Sequence, residues 1–568
     1  MHRPGQQEKP ARRHSADGRK MGKTPLAMAV LLAGAIMSAS VQAGARQPNV
    51  LVIVADDLAF SDLGAFGGEI DTPNLDALAR EGVRFTGFHT APTCSPSRAM
   101  LLTGTDSHRA GFGTMAERVA PNQKGRPGYE GYLRPDVVTL AERFAAAGYR
   151  TMMAGKWHMG LAPQQDPHAR GFQHSFALLQ GSHNHYGLDF AADLNKAPEQ
   201  NTGGAVYTED GVRLAQLPRG FYSSDFFTSK LLEFLGRRDE GAKPFFAYLA
   251  FSAPHWPLQA PREVIEKYKG RYDQGYDRLR ESRLARQAGL GLLAPSTQVR
   301  PMVMTRRWDE LDPERQRLAA RDMEVYAAMV DRLDQNVGRV VSALKRSGEL
   351  DDTLILFLSD NGPEGRDTAT TKEMPASADN RLENRGNATS YFGYGPGWAQ
   401  AGSAPSWLIK YYATEGGTRN AAFLRYPGLG RSGAVSTAFL SIMDVTPTLL
   451  EFAGIPLTDG SFQGRAIEPL RGRSWVPYLK GRREYVYGPD DAIGTEVFGS
   501  RSLRQGDWKI TDTGNGAWRL FDVARDPGET HDLSAEMPDR LKQLEAAWGS
   551  YARDVGVVAP PMAVLPQP

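Results

Sequence analysis

The run Asn49-Val-Leu-Val-Ile-Val-Ala55 is almost entirely aliphatic and ends at two acids, Asp56 and Asp57. A continuous apolar run of this length is typical of a strand buried on both faces of a sheet. Comparable runs lie at 149–154, 244–251 and 353–359, and patterns typical of amphipathic helices lie between them. This alternation predicts an α/β fold with a large, mostly parallel or mixed sheet flanked by helices.

Polar residues follow each of these four predicted strands. They are Asp56-Asp57, Gly155-Lys156-Trp157-His158, Pro254-His255-Trp256 and Asp360-Asn361-Gly362. In an open α/β sheet, ligands bind beyond the carboxyl ends of the strands, so these residues are candidates for one shared site. Any single segment could instead be an ordinary solvated turn, because Asp, Asn and Gly are common turn residues.

Cys94 is the only cysteine among 568 residues, and it begins the segment Cys94-Ser-Pro-Ser-Arg98. A single cysteine excludes an intrachain disulfide and a metal cluster of several cysteines. Ser95 and Pro96 predict the start of a helix, with Cys94 exposed just before its N-terminus, where an anion is favoured. Arg98 would lie about one turn further on and could reach the same point. The alternative is a buried structural cysteine, the usual fate of a free cysteine.

The composition is that of a globular protein with little net charge. The chain has 67 Lys and Arg against 65 Asp and Glu, a formal net charge of +2, and 41% hydrophobic residues. A chain of this length and composition can bury a large core, and we expect more than one domain. The near balance of charge gives no electrostatic reason to expect a nucleic-acid partner.

The N-terminal residues differ from the rest of the chain. Residues 1–23 are basic and polar, residues 26–37 are apolar, and Val41-Gln42-Ala43 offers small residues before a cleavage point. This pattern predicts a secretory signal peptide over residues 1–43, and hence a periplasmic or secreted protein. An apolar run of about a dozen residues is short for a membrane span, so we expect no stable membrane association. An uncleaved membrane tether is the alternative.

The polar segments occur in the same order as the motifs of a known enzyme family. Asp-Asp, Cys-x-Pro-x-Arg, Gly-Lys-Trp-His, Pro-His and Asp-Asn-Gly are followed by Lys410 and then by Glu415-Gly-Gly-x-Arg419. This order resembles the type I sulfatases, the formylglycine-dependent enzymes of the alkaline-phosphatase superfamily. The resemblance extends over residues 48–558, and its C-terminal part looks like the small domain of bacterial arylsulfatases. It implies an alkaline-phosphatase-like catalytic domain over residues 44–475 and a smaller α+β domain over residues 476–568.

The resemblance also implies a modified cysteine and a bound metal. In this family the motif cysteine, here Cys94, is oxidised to formylglycine by a formylglycine-generating enzyme. Four oxygen-bearing side chains would bind a divalent cation together with the modified residue; they are Asp56, Asp57, Asp360 and Asn361. A set without nitrogen or sulfur suits Ca²⁺ or Mg²⁺ better than zinc. The family resemblance favours Ca²⁺, and so does its tolerance of irregular oxygen cages.

Three residues would prepare the attack on sulfur, by the same resemblance. The hydrated aldehyde at position 94 would be the nucleophile, Asp360 would accept its proton, and Arg98 would stabilise the developing charge. Lys156 and Lys410 add positive charge, so that with a divalent cation and neutral histidines the local charge is +2. Such a site would attract a singly charged sulfate ester.

Two histidines would complete the reaction. His255 would protonate the departing oxygen, while Lys410 would hold this oxygen and those of the sulfate. His158 would take a proton from the second hydroxyl of residue 94, so that sulfate leaves and the aldehyde is regenerated.

The sequence therefore predicts an arylsulfatase, a monomer that converts a small aryl sulfate and water into a phenol and sulfate. Two alternatives stay open. The same formylglycine site also serves phosphonate monoester and phosphodiester hydrolases. The chain could instead be a metal- and anion-binding protein whose cysteine is never converted, although every expected catalytic residue is present.

Overall fold

The computed structural model describes residues 47–200, 204–237, 243–366, 374–458 and 460–561. The predicted signal peptide, residues 1–43, lies outside them. Residues Gln47–Pro568 form one compact unit, so the boundary between residues 475 and 476 stays a prediction. None of the helices in the described residues combines the length and the apolarity that a bilayer crossing requires.

The strands of the described residues alternate with helices along most of the chain. The strands are β1 (Asn49–Ala55), β2 (Val83–Phe85), β3 (Phe88–His89), β4 (Arg150–Lys156), β5 (His174–Leu178), β6 (Tyr207–Glu209), β7 (Val212–Arg213), β8 (Phe245–Ala250), β9 (Thr353–Ser359), β10 (Ala422–Arg425), β11 (Ala434–Ser436), β12 (Leu440–Ser441), β13 (Ser461–Phe462), β14 (Arg465–Ala466), β15 (Ala492–Val497), β16 (Ser500–Gln505), β17 (Trp508–Asp512) and β18 (Arg519–Asp522). The α-helices are α1 (Pro73–Glu81), α2 (Cys94–Thr103), α3 (Ser107–Ala110), α4 (Leu140–Ala146), α5 (Ser223–Gly236), α6 (Arg262–Ile265), α7 (Gly275–Gly289), α8 (Pro313–Arg346), α9 (Gly395–Ser403), α10 (Glu415–Thr418), α11 (Val445–Phe452), α12 (Val476–Leu479) and α13 (Pro538–Val555).

The main sheet is mixed, as predicted. Its strand order is β11-β2-β10-β9-β1-β8-β4-β5-β6-β7, and the central strands β9, β1, β8, β4 and β5 run parallel. In the pairing of β1 with its two neighbours, Ala55 lies opposite Ser359 of β9, and Val54 lies opposite Ala250 of β8. The four polar segments of the sequence analysis therefore leave the sheet at the same edge.

Helices cover both faces of the sheet. Side chains of β1 alternate between two hydrophobic clusters, because successive residues of a strand point to opposite faces. Leu51, Ile53 and Ala55 pack into the cluster that contains α1, α5 and α8. Val50, Val52 and Val54 pack into the cluster that contains α2, α4 and α11. Both faces are thus buried, which explains why this strand is continuously apolar.

Two helices begin earlier than the sequence patterns indicate. The sequence pattern before β9 predicts a helix over residues 323–344. Helix α8 starts ten residues earlier, because Asp312 accepts a hydrogen bond from the Arg315 amide and Pro313 occupies the first helical position. Helix α2 begins at Cys94 itself, after Thr93, rather than at Ser95. Cys94 is therefore the first residue of the helix instead of the residue before it.

The C-terminal part is a small α+β assembly, as predicted. Strands β15 to β18 form an antiparallel sheet in the order of the chain. Helix α13 packs on this sheet through Leu544, which joins a small core with Leu503, Ile510 and Leu520. The sheet contacts the main body through Lys509, whose Nζ lies 2.8 Å from Glu415 Oε1.

Candidate active site

The ends of β1 and β9 bring four oxygen-bearing side chains together. Asp56 and Asp57 follow β1, and Asp360 and Asn361 follow the neighbouring β9. All four are at most 2% exposed. The Asp57 amide donates to Asp360 Oδ1 at 3.4 Å, and Asn361 Nδ2 donates to Asp57 Oδ1 at 2.6 Å. The sequence prediction that these residues share one site is consistent with this geometry.

Asp56 and Asp57 each have a buried lysine as a partner. Lys156 Nζ lies 2.6 Å from Asp56 Oδ2, and Lys410 Nζ lies 2.7 Å from Asp57 Oδ1. Burial disfavours charge on a lysine, but these carboxylates outweigh it and raise the pKa of both lysines. Both amines are therefore protonated.

Cys94 lies among these groups at the N-terminus of α2. Its Sγ lies 3.5 Å from Asp56 Oδ1 and 4.0 Å from Asp57 Oδ1. The expectation of an exposed cysteine is wrong, because the side chain is only 1% exposed. Burial raises the pKa of the Cys94 thiol well above its usual range, and the nearby carboxylates add to this effect. An unmodified Cys94 would thus be a protonated, weak nucleophile.

The donor set fits a divalent cation that prefers oxygen ligands. Burial raises the pKa of Asp57 to about 7 despite Lys410, and Asp56 and Asp360 contribute by repulsion. A bound cation would relieve this repulsion among buried carboxylates. Asn361 Oδ1 is buried and has no hydrogen-bond partner among the described residues, so it is free to act as a further ligand.

His255 is also near this cluster. One ligand atom from each of Asp56, Asp57, Cys94 and His255 can be chosen so that all lie within 4.8 Å of one another. The His255 Nε2 lies 3.6 Å from Asp57 Oδ2, and its Nδ1 donates to the Trp256 carbonyl at 2.6 Å. Burial and Lys410 lower the pKa of His255 well below its usual value. Its Nε2 therefore faces the cluster as the ring atom that can exchange a proton.

His158 approaches from the end of β4. Lys156 closes the strand, Trp157 is fully buried, and the backbone of His158 has a φ of 58°. Asp57 and Tyr411 also have positive φ values, 67° and 78°. Such conformations are costly for residues other than glycine and persist only where the surrounding structure enforces them. Two of these residues lie at the site, because Asp57 Oδ1 is 4.0 Å from Cys94 Sγ and Tyr411 directly follows Lys410.

The Glu-Gly-Gly-x-Arg segment supports the Lys410 loop and does not provide charge to the site. A Cβ atom on Gly416 would lie 2.0 Å from the Leu408 carbonyl oxygen, and one on Gly417 would lie 2.0 Å from the Tyr412 carbonyl oxygen. Only glycine allows the two segments to pack so closely. Glu415 pairs with His89 and Lys509, and Arg419 donates to the Thr86 carbonyl.

Two acidic residues near the site were not predicted from the sequence. Glu364 is 5% exposed, lies 3.8 Å from Lys410 Nζ and accepts a hydrogen bond from the Tyr411 hydroxyl. Its negative charge lowers the local charge of the site below the value of +2 that was counted from the residues in the sequence. Glu117 contacts His158 at 3.3 Å. Glu364 lies on an irregular segment and Glu117 on the short helix Ala116–Arg118. The only sequence signal for either residue is that Glu364 closely follows Asp360.

Comparisons with known proteins identify the class to which this fold and site belong. The Sulfatase family model matches residues 48–455. An uncharacterized sulfatase of Schizosaccharomyces pombe is 46% identical over 539 residues, which are 92% of this chain and 97% of the relative. The arylsulfatase of Klebsiella aerogenes is 40% identical over 462 residues, 80% of this chain and 96% of the relative. The crystal structure of Ps i-CgsB in complex with k-i-k-neocarrahexaose matches with a TM-score of 0.63 and 24% identity, over 89% of this chain and 93% of that one.

The chain therefore belongs to the sulfatase family, and the resemblance found in its motifs is confirmed. It is a sulfuric ester hydrolase with an alkaline-phosphatase-like fold. The family uses a formylglycine derived from cysteine and a divalent metal, and the buried cluster of Asp56, Asp57, Cys94 and His255 fits such a site.

Proposed function

We propose that this enzyme hydrolyses aryl sulfate esters and that residue 94 acts as formylglycine. The observation that carries the proposal is the position of Cys94, fully buried yet 3.5 Å from Asp56 and surrounded by charged groups. A structural cysteine would be expected among apolar side chains. The 40% identity with an arylsulfatase supports an aryl ester as substrate.

We assign the metal site to oxygen ligands. Asp56, Asp57, Asp360 and Asn361 would hold the cation, together with an oxygen of modified residue 94. Ca²⁺ suits this irregular set of oxygens better than Mg²⁺, which requires near-octahedral geometry. When bound, the cation would acidify the hydrated aldehyde that serves as nucleophile.

The basic residues would bind the sulfate and balance the charge of the reaction. Arg98 is anchored by Asp360, with Nε 2.8 Å from Oδ2, and its Nη1 donates to the Lys156 carbonyl at 2.9 Å. We propose that Arg98 stabilises the attacking oxygen, while Lys156 and Lys410 hold sulfate oxygens. Asp360 would accept the proton of the attacking hydroxyl; burial and Asp56 raise its pKa, which makes it a better base.

The two histidines would act on opposite sides of the sulfur. We assign the protonation of the departing phenol oxygen to His255, because its Nε2 faces the cluster. We assign the proton of the second hydroxyl of residue 94 to His158. Removing that proton releases sulfate without attack of water on sulfur.

We further propose that a formylglycine-generating enzyme converts Cys94 and that the mature enzyme is a periplasmic or secreted monomer without stable membrane association. The pattern of residues 1–43 supports export. The signal peptide itself lies outside the described residues.

Peptide mass spectrometry and turnover measured on the same preparation test this function. Active enzyme should carry an aldehyde at residue 94 and hydrolyse p-nitrophenyl sulfate faster than a phenyl phosphonate monoester. Cys94→Ser, which keeps one hydroxyl but cannot form the aldehyde, should lose turnover. Full activity with unmodified Cys94 would exclude the mechanism. Faster turnover of the phosphonate would favour the alternative hydrolase, and no turnover by protein carrying the aldehyde would contradict the proposal.

A further inference from the structure

The short helix at Ala116–Arg118 places a carboxylate against one of the proposed catalytic histidines. Glu117 Oε1 lies 3.3 Å from His158 Nε2, and Oε2 lies 3.5 Å from the same atom. The His158 ring is buried, whereas the Glu117 side chain is about half exposed. Glu117 thus covers the outer side of the ring.

This contact selects one tautomer of the imidazole. A carboxylate only accepts hydrogen bonds, so Nε2 carries the hydrogen when His158 is neutral. Burial lowers the pKa of His158, which keeps the ring neutral near pH 7. The lone pair is then on Nδ1, which is buried and has no hydrogen-bond partner among the described residues. Nδ1 is therefore the ring atom free to accept a proton.

Packing restricts the ring from another side. A Cβ atom on Gly181 would lie 2.4 Å from His158 Cε1 and 2.5 Å from Nε2, so the loop backbone lies directly against the imidazole. The charged groups that act on His158 are Glu117, which favours its protonated form, and Lys156 and Arg98, which oppose it. Glu117 thus opposes the effect of the two cations, Lys156 and Arg98, on the pKa of His158.

We propose that Glu117 is a positioning residue that fixes the orientation and tautomer of His158 and leaves Nδ1 as the proton acceptor. This inference rests on the proposed role of His158 as a base. The aspartate of a Ser-His-Asp triad acts in this way: it orients the catalytic imidazole and does not itself take part in proton transfer.

Two substitutions separate the charge of Glu117 from its hydrogen bond. Glu117→Gln keeps an acceptor but loses the charge, so kcat should fall little. Glu117→Ala loses both, and kcat for p-nitrophenyl sulfate should fall by about 10- to 100-fold, as when the hydrogen-bond partner of a metal-ligating histidine is removed. KM should change less than kcat. Arg118→Gln, on the same short helix and exposed, is the control that should leave kcat unchanged.

The pH profile distinguishes positioning from a general loss of structure. A base must be deprotonated, so kcat rises as the pH increases through the pKa of His158. Removing the Glu117 carboxylate lowers this pKa, and the acidic limb of the kcat profile should move to lower pH in both variants. An unmoved acidic limb in both variants would overturn the inference.

A double-mutant cycle completes the test. In a His158→Asn background, Glu117→Ala should cause no further loss, because its effect passes through the ring. Additive losses would contradict the inference while leaving the role of His158 intact. A His158→Asn enzyme with unchanged kcat would instead contradict the proposed role of His158, on which the inference rests.

Discussion

Arg98 and Asp360 form a two-point ion pair, with Nε and Nη2 of the guanidinium each 2.8 Å from Oδ2. Both side chains are fully buried, although 262 residues separate them in the chain. The pair ties helix α2, which carries Cys94, to the end of β9, which carries Asp360 and Asn361. The proposed nucleophile and two of the four proposed metal ligands are therefore linked by this contact, and a movement of α2 would affect both.

Metal removal is the first prediction. Chelation should abolish hydrolysis, and Ca²⁺ should restore it better than Zn²⁺, because the proposed ligands are all oxygens. Asp57→Ala should lower both the metal content and kcat, since this carboxylate is one of the buried groups of the cluster. Metal analysis together with steady-state rates checks this. Asp71→Ala, an exposed acid, is the control, and unchanged metal content in Asp57→Ala would remove Asp57 from the site.

The second prediction concerns protonation of the leaving group. His255→Ala should slow esters of poor leaving groups more than the p-nitrophenyl ester, whose phenolate departs with little help. General acid catalysis contributes typically about 10²- to 10⁴-fold, so the difference should be measurable across substituted phenyl sulfates. His158→Ala should slow turnover largely independently of the phenol. If His255→Ala has the wild-type dependence on phenol pKa, the two roles are wrongly assigned.

A third prediction concerns Glu364 and the charge around Lys410. Glu364→Gln should tighten inhibition by inorganic sulfate several-fold, because a negative charge 3.8 Å from Lys410 is removed. Tyr411→Phe is the matched control, since it removes the hydrogen bond to Glu364 without changing any charge. Inhibition constants for sulfate measure the effect. Weaker or equal inhibition in Glu364→Gln would show that this carboxylate does not compete for Lys410.

The fourth prediction concerns stability at alkaline pH. His108 is buried between Asp106 and Glu496, at 3.2 Å and 3.4 Å. Burial opposes its charge, but the two carboxylates prevail and raise its pKa to about 9. A raised pKa contributes stability that is present below the unfolded value of 6.5 and is lost as the pH rises through about 9.

Unfolding measurements between pH 7.5 and 9 check this prediction. Over this range the wild-type enzyme should lose about 1.4 kcal/mol per pH unit from His108 alone. His108→Gln should be less stable at pH 7.5 and should lack this part of the pH dependence. Parallel pH profiles for the two proteins would show that His108 is neutral in the folded state.

Much of the site could be predicted because its residues follow strands. Asp56, Lys156, His255 and Asp360 stand just after or at the end of central strands, and parallel strands present their carboxyl ends at one edge. The sequence gives no such signal for Glu117, because this residue lies on a short helix that follows no strand, 41 residues before His158. Loop paths depend on packing against the whole body, which local patterns do not encode.

The sequence by itself determined the sheet, the order of the motifs and the kinds of atom in the site. Strand periodicity and continuous apolar runs are local properties, so β1 and β9 match their predicted bounds. Only the tertiary structure decided that Cys94 is buried, that Arg98 pairs with Asp360, and that Glu364 lies beside Lys410. These contacts join residues tens to hundreds of positions apart. Their distances follow from how the crossover helices and loops pack on the sheet, and no short stretch of sequence contains that information.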